Sequence, residues 1–265
     1  MNNKLFESIV SQNKTIFGGN SMAIRNSTKG KIFTSITLIF LIGLVFLNSK
    51  LGIINCNMKR DHDSFSEKQY QIIMDKIAEL EEKEPKDDLT KRRLAEQHNV
   101  MGLHYLDRQL LDSAIESFNN SVKYGNNSAE VFYSLGLAYA GRSVAKKSSD
   151  DIKVAEQYYR KAISINERLN DGKYALAVLL FYHKENGRDE AVNLINDIVS
   201  RNAAHYPARF ANGRFQYELG NKEKALTIYQ RLSSDLDRLP PSSIINDYKT
   251  QCSNNIQRIK SELSM

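Results

Sequence analysis

His98 to Phe118 reads "HNVMGLHYLDRQLLDSAIESF", and residues 131–140 read "VFYSLGLAYA". Both stretches have helical periodicity, yet each carries a glycine in its middle, Gly102 and Gly136, 34 residues apart. A glycine inside a helix costs about 1 kcal/mol relative to alanine. A chain that accepts this cost twice at a fixed interval is using the missing side chain. The residues around the two glycines repeat as well. Met101, Gly102 and Tyr105 are followed by Ala114, Phe118 and Ser121; Leu135, Gly136 and Tyr139 are followed by Ala155, Tyr159 and Ala162. A third copy runs through Leu176, Ala177, Leu180, Ala191 and Ile195, and a fourth through Gly213, Gly220, Ala225 and Tyr229. Small residues in two successive helical segments, with bulky ones three or four positions away, are what two antiparallel helices need to cross closely.

The 34-residue spacing of small and bulky positions resembles the tetratricopeptide repeat, a helix–turn–helix unit, over roughly residues 95–235. The segment "AISINE" (162–167) resembles the end of the second helix of that unit, with Glu167 where proline is usual. There are departures. Seven extra residues in "GRSVAKKSSDDIKV" (141–154) lengthen the inter-helix turn of the second copy, and two lie around Asn186-Gly187 in the third. Ile198 and Leu232 replace a small residue in copies three and four. Asn212 and Gln216 replace apolar residues in copy four, which makes it the weakest match.

The resemblance implies an all-α fold, a right-handed superhelix of antiparallel helix hairpins. On that basis residues 88–239 hold about four repeats. Before them, "SEKQYQIIMDKIAEL" (66–80) puts Tyr70, Ile73, Ile77 and Leu80 on one helical face, with Ser66 and Gln69 spaced as a capping box. This amphipathic helix, within a linker spanning 55–87, is either packed on the first repeat or a stalk. After Pro240-Pro241, Ser243 opens a helix with Ile245, Tyr248, Cys252, Ile256, Ile259 and Leu263 on one stripe, so residues 240–265 read as a capping helix. Cys252 then belongs to the core.

Residues 32–47, "IFTSITLIFLIGLVFL", contain no charge and no polar face. As a helix these positions rise about 24 Å, against ~30 Å of hydrocarbon. Extended through Ile54, with Lys50 reaching toward the headgroups, residues 31–54 form one transmembrane signal-anchor segment. No small-residue cleavage site follows closely. Lys14, Arg25, Lys29 and Lys31 precede the run, and Lys50, Lys59 and Arg60 follow it, a weak bias toward a cytoplasmic N-terminus. The expectation is a single-pass protein with a flexible cytoplasmic tail (1–30) and its repeats outside the cytoplasm, in the periplasm of a bacterial envelope. In a second reading, "LGIINC" (51–56) is a lipobox and Cys56 is a lipidation site, although Asn55 stands where a small residue is usual. An acyl chain or a span tethers the same domain.

Composition excludes several functions. The formal charge of +6 comes from Lys and Arg that alternate with Asp and Glu along nearly every segment, a solvated helix surface rather than a nucleic-acid stripe. Two cysteines 196 positions apart make neither a disulfide framework nor a metal knuckle. None of the five histidines (His62, His98, His104, His183, His205) makes H-E-x-x-H or an i, i+4 pair, and His98 falls at a helix-contact position. No phosphate loop or nucleophile elbow is present. No enzyme activity, cofactor or metal is expected.

By the resemblance, the concave face is lined by fixed positions of each first helix. The first repeat supplies Asn99, Leu103, Leu106 and Asp107, and the second Tyr133 and Leu137. The third supplies Tyr174, Val178, Phe181 and Tyr182, and the fourth Phe210, Arg214 and Tyr217. Aromatic and aliphatic residues suit docking of a peptide or helix from a protein partner. Members of the family that clamp the acidic C-terminus of chaperones need Lys, Asn and Arg at four groove positions. Here Asn99, Leu103, Asp171 and Ala175 stand there, so that clamp is absent. The function expected is a membrane-tethered interaction scaffold, in envelope protein assembly or translocation. A lipoprotein with the same repeats and a glycan-binding or regulatory module are the alternatives, and the oligomeric state is open.

Overall fold

A computed structural model describes residues 67–264. The tail 1–30, the apolar run 31–54, Cys56 and Ser66 lie outside the described residues. Every regular element described is helical, and no described helix is long and apolar enough to cross a membrane. The described residues divide into two units at Gly172/Lys173.

The first unit contains α1 (Glu67–Glu81), α2 (Asp88–Asp107), α3 (Leu111–Lys123), α4 (Ala129–Lys146) and α5 (Ser149–Ile165). Local chemistry starts three of them. The Asp87 carboxylate accepts from the Thr90 N–H at 2.6 Å, the Ser128 hydroxyl from Val131 at 3.3 Å, and the Ser148 hydroxyl from Asp151 at 3.2 Å. Each satisfies an orphan donor of a first turn. The helix α1 is packed, not a free stalk: Ile77 and Leu80 are buried with Leu94 and Met101 of α2, and the Tyr70 and Tyr105 hydroxyls share a 3.2 Å hydrogen bond.

The two hairpins α2–α3 and α4–α5 cross at the repeated glycines. A Cβ on Gly102 would lie 2.5 Å from the Phe118 ring, and one on Gly136 2.5 Å from the Tyr159 ring. The aromatic ring of each second helix therefore sits on the bare backbone of the first. Phe118 is fully buried there and Tyr159 nearly so. Beside the first crossing, the Ser121 hydroxyl donates to the Ala95 carbonyl at 2.6 Å.

The seven extra residues of the second copy do not lengthen its turn, contrary to the sequence expectation. They extend both helices, leaving only Lys147 and Ser148 between α4 and α5. Lys147 takes the left-handed conformation (φ 52°), which closes the helix end, and Ser148 opens the next. Arg142 fastens the extension. Its Nε and Nη2 donate to the Asp151 carboxylate at 2.9 and 2.7 Å, and its Nη1 donates to Asp112 of α3 at 2.9 Å. A forked guanidinium pairing of this kind is among the stronger polar contacts.

The second unit contains α6 (Asn170–His183), which carries the boundary, α7 (Arg188–Arg201), α8 (Tyr206–Glu218), α9 (Lys222–Asp237) and α10 (Ser243–Leu263). The two extra residues of the third copy are taken up in a short 3-10 turn, Glu185–Gly187. Ala177, Ala191 and Ile195 of that copy are fully buried. In the fourth copy, a Cβ on Gly213 would lie 2.8 Å from Tyr229, whose hydroxyl donates to the Phe210 carbonyl at 3.5 Å. The polar substitutions of this copy are satisfied: Asn212 donates to Asn196 at 3.2 Å, and the buried Gln216 carbonyl accepts from Asn221 at 3.1 Å. Ser242 starts α10 by accepting from Ile245 N–H at 3.2 Å, and Tyr248, Cys252 and Ile259 bury against Phe210, Tyr229, Leu232 and Leu236. Cys252 is a free, fully buried thiol, and burial pushes its pKa up to about 12.

The glycine crossings generate a direct test. Gly102→Ala gains about 1 kcal/mol of helix propensity, yet forces the Phe118 ring off its seat, so a net loss of about 1–3 kcal/mol is expected from overpacking. Chemical denaturation measures it, and adding Phe118→Leu to Gly102→Ala should recover part of the loss, because the two sites share one contact. A more stable Gly102→Ala chain would refute the crossing.

Candidate partner-binding face

On α2, Asn99, Leu103 and Asp107 follow one another at intervals of four, which places them on one stripe of the helix. All three are partly exposed, whereas Leu106 turns inward and is buried. This is the most accessible part of the face expected from sequence. Tyr133 and Leu137 of α4 are 2% and 3% exposed, and the Tyr133 ring lies 6.1 Å from the Tyr159 ring. They belong to the interior.

In the second unit the expected face is largely packed. Tyr174, Val178 and Phe181 are buried, and Tyr182 is partly so. The Phe181 ring stacks on Phe215 at 3.8 Å, and Tyr182 meets Phe215 edge-on at 6.1 Å. Tyr174 packs 5.8 Å from the His205 ring, while His205 Nδ1 caps α8 by accepting from the Ala208 N–H at 3.1 Å. Phe210 stacks on Tyr248 of α10 at 5.1 Å. The Tyr217 hydroxyl donates to Glu262 of α10 at 2.7 Å, and the Arg258 guanidinium lies 4.5 Å from the Tyr217 ring centre. The helix α10 therefore covers the stripe of α8 that holds Phe210, Arg214 and Tyr217. Counting groove positions by repeat spacing takes no account of a covering helix, and this corrects the expectation of an open aromatic groove in copy four.

Burial and charge set the ionisation of this region. Burial raises the hydroxyl pKa of Tyr182, Tyr229 and Tyr248 above the ordinary phenolic range. The Tyr217 hydroxyl and Lys222, which pairs with Glu262 at 3.0 Å, hold the Glu262 carboxyl below its usual range. Burial raises the Glu218 carboxyl, against the opposing charges of Arg214, Arg258 and Arg188.

Two groupings escape repeat counting. Tyr158 stacks between Phe132 and Tyr139 at 6.2 and 5.5 Å, with Lys161 3.8 Å over Phe132 and Arg142 4.8 Å over Tyr139. Adjacent Tyr158-Tyr159 is the available signal, since neighbouring helix residues point to different sides. His98 is buried, stacks on Tyr124 at 5.7 Å and lies 3.5 Å from the Glu81 carboxylate of α1. Among the described residues no group of three or more His, Cys, Asp or Glu side chains is placed to hold a metal.

With the architecture established, comparison with solved structures finds similarity to repeat proteins. MamA is 19% identical, covering 70% of this chain and 92% of MamA, with a TM-score of 0.47. YrrB, described as a TPR protein with an unusual peptide-binding site, is 18% identical, covering 68% of this chain and 89% of YrrB, with a TM-score of 0.46. Yeast Tom70 is 12% identical, covering 99% of this chain and 73% of Tom70, with a TM-score of 0.37. No protein-family model and no curated protein matches the sequence. The tetratricopeptide-like character of the fold rests on the chain's own hairpins and glycine crossings.

His98 gives the face a measurable pH dependence. Burial lowers its pKa, opposed first by Glu81, with Lys123 and Glu116 as smaller influences of opposite sign. The unfolded chain, with an imidazole near ~6.5, then takes the proton before the folded one. The contribution is present above that value and is lost as pH falls through it toward the lowered folded pKa. The melting temperature should fall between pH 7.5 and 5.5, and His98→Phe, which keeps a ring against Tyr124, should flatten that fall. An unchanged slope would remove His98 from the docking of α1.

Proposed function

We propose that this chain is a membrane-tethered scaffold that holds a peptide or helical segment of another protein along the first-helix face of its repeats. The partly exposed stripe Asn99, Leu103 and Asp107 carries the reading. It pairs an apolar contact with flanking polar and acidic groups on a rigid helix, the arrangement by which one apolar anchor and its polar rim recognise a segment. Support for the tether is the uncharged run 32–47. The repeats lie on the periplasmic side in this reading, and the partner is an envelope protein in assembly or translocation. The work is binding rather than catalysis, in keeping with a sequence that carries no catalytic motif.

A photo-reactive amino acid at position 103 of the full-length chain, installed in cells, should yield one discrete cross-linked partner. The same residue at position 157, an exposed site on α5, should not. Adding Asp107→Lys should weaken the adduct. Equal labelling from both positions would overturn the assigned face.

The tether has its own readout. Deleting residues 32–47 should move the protein from the membrane pellet to the supernatant, and a reporter fused after Met265 should be active only outside the cytoplasm. Retention in the pellet after deletion would point to Cys56 acylation instead.

A further inference from the structure

Arg214 is a buried charge without a paired counter-ion. It is 6% exposed on α8, its Nη1 has no hydrogen-bond partner, and it forms no ion pair with a described carboxylate. A guanidinium stays charged and carries five N–H donors in a fixed fork. Charges removed from water are ordinarily paired, because desolvation is otherwise uncompensated. The field of Arg214 reaches the Tyr182 hydroxyl and the Glu218 carboxyl, one turn further along α8.

Other charges converge here from neighbouring helices. Arg188, at the start of α7, lies 5.5 Å over the Phe181 ring, and Arg258 of α10 lies over Tyr217. Both act on Glu218 together with Arg214. Lys222 and Glu262 neutralise each other. Three guanidinium groups thus face one carboxyl, so the end of the unit keeps positive charge whether Glu218 is ionised or not. The walls are aromatic, with Phe181 stacked on Phe215 and Tyr182 edge-on to it. Tyr182, Tyr217 and Glu218 are each partly exposed, and Arg188 and Arg258 are exposed, so Arg214 lies one side chain beneath solvent.

We propose that Arg214 anchors a carboxylate-binding site at the C-terminal end of α8, which takes the free C-terminus of a partner segment ending in an apolar residue. The planar carboxylate matches the guanidinium fork, and the apolar last side chain matches the Phe181, Phe215 and Tyr182 walls. A phosphate dianion fits less well, because it brings two charges beside Glu218. The site rests on the reading of the chain as a scaffold for protein segments. It differs in position and residues from the chaperone clamp that this chain lacks.

The test uses the full-length chain in detergent and a fluorescein-labelled peptide, acetyl-Lys(fluorescein)-Gly-Leu-Phe, with a free C-terminal acid or a C-terminal amide. Fluorescence anisotropy should show saturable binding of the acid, and binding of the amide weaker by roughly tenfold or more, as loss of a charge-assisted pair implies. Arg214→Gln should weaken acid binding by a similar factor, and Arg214→Lys less. The melting temperature of Arg214→Gln should equal or exceed that of the parent, since an unpaired buried charge is removed. If Arg214→Gln fails to fold, the acid–amide comparison on the unaltered chain still decides. Equal binding of acid and amide, or no binding of either, overturns the site. Cross-linking from position 103 would still stand in that case, so the scaffold reading is judged separately. Displacement by 3-phenylpropionate only at much higher concentration supports a peptide source; displacement at the peptide's own concentration assigns a free small acid and overturns the peptide.

Discussion

The crossing of an aromatic ring over a bare helical backbone is the contact on which the hairpins depend. Phe118 on Gly102, Tyr159 on Gly136 and Tyr229 on Gly213 repeat it in three of the four copies. A full aromatic side chain is removed from water without pushing the helices apart, and burial of that size contributes more than the propensity lost at glycine. The tyrosines carry a further constraint, since a buried hydroxyl needs a host. In the fourth hairpin the Phe210 carbonyl supplies one to Tyr229. The third copy, with Ala177 and Ile195, achieves its crossing with aliphatic side chains, and both residues are fully excluded from water.

Close crossings leave the ends of each unit to be covered, and α1 and α10 do so with different chemistry. The helix α1 brings Ile77 and Leu80 onto Leu94 and Met101, then adds polar links from Tyr70 to Tyr105 and from Glu81 to His98. The helix α10 brings Tyr248 and Cys252 onto Phe210 and Tyr229, with Glu262 tying down Tyr217. A repeat array needs such covering elements because its last hairpin otherwise exposes an apolar flank. The cover then determines which aromatic residues remain available to a partner. Phe210 and Tyr217 serve the chain's own packing, and the accessible stripe moves to α2.

The hairpins were legible in the sequence because the pattern is local. Gly102, Ala114 and Phe118 lie within one turn-linked pair, and their period repeats at Gly136. The amphipathic stripes of residues 66–80 and 243–263 were equally plain, being set by side chains three and four apart. Two things were not legible. The extra residues 141–154 could be assigned to a loop or to longer helices, and the choice was made by contacts distant in sequence, Arg142 with Asp112 of α3 and with Asp151 of α5. The candidate face was read by counting positions, which fixes the side of the helix on which Phe210, Arg214 and Tyr174 lie but not what lies over them. Burial of those residues arises from packing between helices that no local pattern encodes.

Two arginines show how differently the same side chain is used. Arg142 is less deeply placed, with 23% of its side chain exposed, yet Nε, Nη1 and Nη2 all meet carboxylate oxygens. Those pairings raise its pKa, hydrogen bonding from Asp151 contributing most. This is a residue whose desolvation is matched within the fold, and its role is to bind three helices into one body. Arg214 is more deeply buried and has no such match. An arginine serving only to pack could be replaced by a long apolar side chain at no electrostatic cost. A methionine fills nearly the same stem volume without the charge. A guanidinium held under aromatic walls, beside two further guanidinium groups and a single carboxyl, therefore has a physical rationale as half of a pair whose other half arrives with a ligand.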